Sequence, residues 1–217
     1  MKVMLLRYTE NADELCGMAA ATCYNSNDYS KALKQSAGHG HESVIEHAYY
    51  TFKIEDVSRS LLAQLTRHRL CAFSVQSQRY VRINREGETS YVLPNTMTDE
   101  QKDKAMALFK DAQDLYTDLV ENGVPPEDAR FVIPQAVCTT IIMSCNAREL
   151  KHIFAMRCCN RAQWEIRELA DKMYRLVYPK AKQIFATAGP GCVNGLGCHE
   201  GRPCGHPRNL GEWHNEG

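Results

Sequence analysis

The run AVCTTIIMSCNARELKHIFAMR, residues 136–157, decides the fold class. Ala136 to Cys145 is dense in β-branched and apolar side chains, which pack well on a pleated surface, so it reads as a buried strand. Asn146 then offers a side-chain oxygen to the unpaired amides of a first helical turn, and Leu150, Ile153 and Phe154 recur at helical spacing. A strand that turns at once into a helix predicts a mixed fold.

Working outward, Ala162 to Phe185 reads as one long amphipathic helix built on Ile166, Leu169, Met173, Leu176 and Val177. Asp99 to Asn122 reads as another, with Ala105, Leu108, Phe109, Ala112, Leu115, Leu119 and Val120 on its apolar face and Asn122-Gly123 as the stop. Pro125 to Arg130 starts a short helix, with proline early and acids at the positive end of the dipole. Nearer the N-terminus, Val3 to Arg7 reads as a strand. Asn11 to Cys23 reads as a helix that turns Leu15, Met18 and Ala19 inward and is capped by Asn11 or Asp13. Asn25 to Ser36 reads as a loop running into a short helix, and Ala48 to Glu55 as a strand. Ser58 to His68 forms a helix with Ser58 as cap and Leu61, Leu62 and Leu65 buried, and Tyr91 to Leu93 a short strand. There is no internal repeat and no low-complexity linker before residue 188. The expected architecture is α+β: a single helix-rich domain over 1–187 with a modest mixed or antiparallel sheet and long amphipathic helices. A short Cys/His-containing tail over 188–217 follows it.

The chain has 217 residues, with 26 basic and 26 acidic side chains, so attraction for anions must come from local clustering and not from a global field. Non-specific nucleic-acid binding is disfavoured on that ground. No apolar run approaches the roughly 20 residues that span a bilayer, and MKVMLLRYTE turns polar too soon for a signal peptide, so a cytoplasmic protein without a membrane partner is expected. Ten cysteines in such a setting read as reduced thiols, with Cys16, Cys23, Cys138 and Cys145 packing as small hydrophobes.

The local clustering is found in Arg67 to Tyr80 (RHRLCAFSVQSQRY), which puts three guanidiniums beside an imidazole, hydroxyls and amides. A planar five-donor fork grips phosphate or carboxylate two-pronged, so the stretch predicts an anionic, hydrogen-bonding ligand. Gln64 sits one helical turn upstream. A second dense segment is Gly38-His39-Gly40-His41-Glu42-Ser43-Val44-Ile45-Glu46-His47. Its His41 and His47 are six apart, which is not the spacing of a zinc-binding helix. From chemistry alone it is either a ligand site or a glycine turn whose polar groups satisfy one another.

These residues, taken in order, carry a resemblance. Arg67-His68-Arg69 followed by Ser77 and Arg79-Tyr80 resembles the signature of the flavin-dependent thymidylate synthases. Gly40 to Ser43, Glu46-His47, Gln64, Ala129-Arg130, Asn146 with Arg148, and Met156-Arg157 followed by Ala162 to Ile166 fall in that family's order. The similarity covers about residues 38 to 187. It implies reductive methylation of dUMP to dTMP with 5,10-methylenetetrahydrofolate as carbon donor, NADPH as reductant and FAD as hydride carrier. It also implies a homotetramer whose sites draw on several chains.

By the same resemblance Arg157 activates the pyrimidine: uracil C5 is a poor nucleophile, and a guanidinium at N3 and O4 stabilises the negative charge that must build there. On residue chemistry alone, the favoured reading of Arg157 is a helix arginine in a salt bridge with a nearby glutamate. Gln64, Arg67, Val75, Gln76, Ser77, Gln78, Arg79 and Arg130, together with Arg157, match positions that hold dUMP. Ser43, Arg67, His68, Arg69, Val75, Asn146, Arg148 and His152 match positions that hold FAD. His41 matches a histidine used in catalysis or folate handling. Ser77 reads as a hydroxyl donor to phosphate and not as a nucleophile, because no general base is fixed beside it. Cys71 reads as a packing residue. The chain departs from the family at Ala72, at Val75-Gln76 and at His152, which stands where some members carry asparagine.

After Ala188 the composition changes to glycine, proline, cysteine and histidine. Cys192, Cys198 and Cys204 are a candidate set for structural zinc, with a flexible thiol-bearing tail as the alternative. The rival to the enzyme is a non-catalytic nucleotide- or RNA-binding module with a zinc-bound tail. Net neutrality and the lack of aromatic platforms beside the arginines count against it.

Overall fold

The computed structural model describes residues 1–83 and 90–209, so residues 210–217 of the expected tail lie outside the described residues. In chain order β1 (Lys2–Tyr8) leads into α1 (Ala12–Tyr24) and α2 (Tyr29–Gly38), and a 3-10 turn over Glu42–His47 precedes β2 (Tyr49–Ser58). Then come α3 (Arg59–Leu65), β3 (Ala72–Val75), α4 (Asp99–Glu121), α5 (Pro126–Ala129) and β4 (Cys138–Asn146). α6 (Ala147–Arg157), α7 (Trp164–Val177), α8 (Lys182–Phe185) and α9 (Gly191–Asn194) follow. The strands form one antiparallel sheet in the order β1-β2-β4-β3. The class is therefore α+β and helix-rich, as the strand-to-helix run predicts. Tyr91 makes only an isolated bridge to Val137 instead of a strand. Among the described residues no helix is long and apolar enough to cross a membrane.

The chain divides into two compact units: Met1–Lys2, Ile54–Gln64 and Ser74–Ile141 in the first, and Val3–Lys53, Leu65–Phe73 and Ile142–Gly217 in the second. The first is built around α4. Thr98 and Gln101 close a capping box at its N-terminus, satisfying amides that have no intrahelical partner. Its buried side chains are Gln113 and Tyr116, whereas Leu108 and Leu115, expected on the inward face, are exposed. The seam is set by Tyr91, whose ring lies 4.7 Å from that of Phe109 and whose hydroxyl reaches the Phe109 carbonyl and Gln113 Oε1. In the same unit the Ser58 hydroxyl accepts from Leu61 N at 2.9 Å, so the cap of α3 is the expected one, but the helix ends at Leu65, three residues earlier than expected.

The second unit packs α1, α2, α6, α7 and α8 around a core that includes Tyr50, Phe52, Phe154, Tyr174 and Phe185. Phe154 meets Tyr174 and Phe185 edge-on at 5.5 Å and 6.0 Å between ring centroids. Burying each such side chain contributes about 2–3 kcal/mol. α1 differs from expectation: Ala12, Cys16 and Ala20 are fully buried while Leu15 and Met18 are exposed. The physical reason is close helix approach, because a Cβ on Gly17 would lie 2.7 Å from the Tyr29 carbonyl oxygen, which leaves room only for small residues on that face. Asp13 caps α8 instead of α1, accepting from Gln183 N and Ile184 N, both at 3.0 Å. The long helix expected over 162–185 is interrupted, with a 3-10 turn over Tyr178–Lys180 that contains Pro179, a residue that cannot donate to the helical ladder.

Candidate active site

α6 supplies most of the polar groups in the second unit. Asn146 Oδ1 accepts from Glu149 N at 2.9 Å, so the expected cap starts the helix and fixes its register. That register points Arg148 and His152 to the exterior and buries Glu149 and Lys151. Arg148 pairs with Glu46 and Lys151 with Glu42, so two cations of α6 meet two acids of the 3-10 turn. Beside them lies a cavity of about 1040 Å³ lined by Asn146, Arg148, Lys151 and His152 together with Glu42 and Glu46. Its far wall comes from Leu70 and from Ala188, Gly189, Asn194 and Leu196, so the start of the expected tail belongs to the cavity. Arg208 anchors the tail further along, forking onto both oxygens of Asp171 at 2.6 Å and 2.8 Å.

Arg67, His68 and Arg69 lie on the turn after α3, held by His68 N to the Leu65 carbonyl and Cys71 N to the His68 carbonyl. Arg67 and Arg69 are exposed and His68 is buried, with 4% of its surface accessible. Its Nε2 accepts from Arg157 Nε at 3.0 Å, and its Nδ1 lies 3.4 Å from Glu149 Oε1. The His152 ring stands edge-on to it, 5.8 Å between centroids. Burial, then the charges of Arg157 and His152, lower the His68 pKa from the usual 6.5 to about 4, so the imidazole is neutral at physiological pH. Burial raises the Glu149 carboxyl, with His152 opposing. Burial and the neighbouring Arg67 lower Arg157, which nonetheless stays a cation.

Ser43 and His41 are exposed on and beside the 3-10 turn and are not among the cavity's lining residues. Of the residues expected at the flavin, Asn146, Arg148 and His152 line the cavity.

The first unit gathers the expected phosphate residues. Val75 closes β3, Gln76 N donates to the Thr140 carbonyl at 2.9 Å, and Arg79 N donates to Ser77 Oγ at 3.1 Å in the turn that follows. Arg79 forms an ion pair with the Glu127 carboxylate, and Arg130 Nε donates to the Glu127 carbonyl at 3.0 Å. Glu127 therefore meets Arg79 through its carboxylate and Arg130 through its backbone carbonyl. Arg59 is half-buried and has its pKa lowered by burial and by the charge of Arg130. Gln64 and Gln78 are half-buried. Reading by residue type missed Glu127, Arg59 and Glu149, because an acid or a lone arginine in a helix carries no spacing signal.

Cys192, Cys198 and Cys204 do not come together as a metal site. Among the described residues no group of three or more histidine, cysteine or acidic side chains could hold an ion. In this segment Gly197 N donates to the Gly191 carbonyl at 3.0 Å, and Cys204 Sγ is engaged with the backbone of His206.

With this geometry established, similarity to known proteins is informative. The family described as thymidylate synthase complementing protein matches residues 4–181. A flavin-dependent thymidylate synthase of Geobacter sulfurreducens is 43% identical over 219 residues, covering 94% of each chain. One from Clostridium tetani is 40% identical over 97% of this chain and 95% of its own, and one from Pyrococcus furiosus 39% identical over 92% and 90%.

Proposed function

The chain belongs to the flavin-dependent thymidylate synthase family, enzymes that form dTMP from dUMP with FAD, and on that premise we propose what its individual residues do. The donor set beside the cavity fits a flavin dinucleotide: a guanidinium at Arg148, an amide at Asn146 and an imidazole at His152 suit the diphosphate and ring edges. The carboxylates of Glu42 and Glu46 suit hydroxyl groups. The volume lies at the upper end of the roughly 300–1,000 Å³ of small-molecule clefts. Ser43, Arg67, His68, Arg69 and Val75 are proposed to complete this set. When bound, the flavin supplies the hydride carrier, with NADPH as reductant and methylenetetrahydrofolate as carbon donor.

The rest of the work falls to the chain's own groups. Arg79 and Arg130, aligned by Glu127, hold the nucleotide phosphate with the Ser77 hydroxyl and the Gln64 and Gln78 amides, while Val75 and Gln76 offer backbone amides. Arg157 with Arg67 faces the uracil, where its positive charge stabilises the anion at N3 and O4 and so raises electron density at C5. His41 serves catalysis or folate handling. Exposed Leu70, Tyr80 and Phe131 support a homotetramer in which several chains contribute to each site. A cytoplasmic location fits a biosynthetic enzyme of this kind. No zinc is proposed for the tail.

The single observation that carries the reading is half-buried Arg157, whose Nε–H is donated at 3.0 Å to Nε2 of a His68 kept neutral by burial, beside the Arg67–Arg69 turn. The reading is tested by measuring FAD content and the release of tritium from C5-labelled dUMP as each co-substrate is withheld. Flavin-bearing protein whose release needs dUMP, NADPH and the folate is expected. Protein that cannot be reconstituted with FAD, or that binds RNA in a salt-dependent way without turnover, would overturn it.

A further inference from the structure

We infer that Glu149 and His68 form a positioning relay whose task is to hold the guanidinium plane of Arg157. The inference rests on the reading of Arg157 as the uracil-activating cation. It begins with a constraint of chemistry. Arginine has donors only, so the 3.0 Å contact from Arg157 Nε requires a lone pair on His68 Nε2. A neutral imidazole then carries its proton on Nδ1, the atom that lies 3.4 Å from Glu149 Oε1. The carboxylate therefore selects the tautomer, the tautomer supplies the acceptor, and the acceptor fixes Arg157 Nε–H. Fixing that edge fixes the direction of the whole planar fork.

Burial reinforces the arrangement. The side chains of His68 and Glu149 are 3% and 7% exposed, so each must find its partner inside the protein. Glu149 and Arg157 both belong to α6, with Glu149 in its first turn and Arg157 at its end, where the helix dipole favours a cation. The groups facing the imidazole are Arg157, Glu149 and His152 of α6; Arg67 of its own turn acts on Arg157, and Glu149 on Cys145 of β4. A protonated His68 would set N–H against N–H and charge against charge, and Arg157 would lose its acceptor on His68. Glu149 also lines the cavity proposed for the flavin, but it reaches Arg157 only through His68, so toward the uracil both are positioning residues.

A merely structural buried pair predicts loss of stability without a change in uracil activation, and this separates the two roles. Holoenzyme with bound 5-fluoro-dUMP is titrated by fluorine NMR, which reads the N3 ionisation that a nearby cation promotes, and kcat and KM for dUMP are measured alongside. Glu149→Leu, which cannot accept from Nδ1–H, is expected to raise the apparent N3 pKa towards that of Arg157→Ala. It should also lower kcat about 10- to 100-fold with KM little changed. Glu149→Gln keeps an acceptor oxygen and is expected to recover most of both. If Glu149→Leu does not fold, His68→Gln, which retains an acceptor for Arg157, is compared with His68→Leu, and the same ordering is expected. A normal N3 pKa in folded Glu149→Leu, or in His68→Leu, with Arg157→Ala clearly perturbed, would overturn the relay and leave the role of Arg157 standing. An unperturbed Arg157→Ala would overturn both.

Discussion

Acid should weaken this protein through His68, and the size of the effect follows from its surroundings. The folded imidazole titrates at about 4 against an ordinary 6.5, because it is buried and faces Arg157 and His152. A lowered histidine pKa means that the unfolded chain binds the proton first. The penalty is absent above the ordinary 6.5, grows as pH falls below it, and levels off near 4. Between about pH 7 and about pH 4.5 the linkage integral comes to about 2 kcal/mol of lost stability. Glu149 works in the opposite sense, since its raised carboxyl favours the protonated folded form as pH falls. The comparison is therefore best made in a Glu149→Gln background. Urea unfolding of Glu149→Gln and of Glu149→Gln with His68→Gln, at both pH values, isolates the histidine. The protein retaining His68 should lose about 2 kcal/mol more on acidification than the double variant. Equal losses would refute the claim that His68 is held neutral by burial and neighbouring charge.

Three further outcomes follow from the site. Arg148→Ala should weaken FAD retention by about 10- to 100-fold, read as flavin fluorescence released on dilution, because a two-pronged charged donor is lost from the cavity wall. Arg79→Ala and Arg130→Ala should each raise KM for dUMP more than they lower kcat. The double variant should be less than additive because both arginines are aligned by Glu127, and steady-state kinetics on the three proteins checks this. Asn146→Ala should cost about 1 kcal/mol in thermal unfolding, since Glu149 N loses its cap acceptor at the start of α6.

What could be read from the sequence was local. The strand-to-helix run at 136–157 announces β4, its Asn146 cap and α6, because β-branching, a capping side chain and apolar spacing all act within a few residues. What could not be read depends on partners distant in sequence. The inward face of α1 is Ala12, Cys16 and Ala20 and not Leu15 and Met18, since α2 comes too close at Gly17 for larger side chains. Leu108 and Leu115 of α4 are exposed because Tyr91 and Tyr116 set the seam elsewhere. The cluster of arginines was conspicuous by residue type. The acids beside it, Glu127 paired with Arg79 and Glu149 behind His68, were not, because an isolated glutamate in a helix looks like any solvated one. The same applies after Ala188, where composition suggested a metal or a loose tail and did not foretell that Gly189, Asn194 and Leu196 line the cavity.

The most direct test of the account is the exchange of tritium from C5-labelled dUMP by Arg157→Ala, with dUMP binding measured on the same protein. The phosphate contacts proposed for Arg79 and Arg130 do not depend on the substitution, so binding should persist. The rate of release should fall by about 10²- to 10³-fold, the usual cost of removing one group that stabilises a developing anion. Release within a few-fold of the unsubstituted enzyme would contradict the assignment of Arg157 as the residue that activates the uracil.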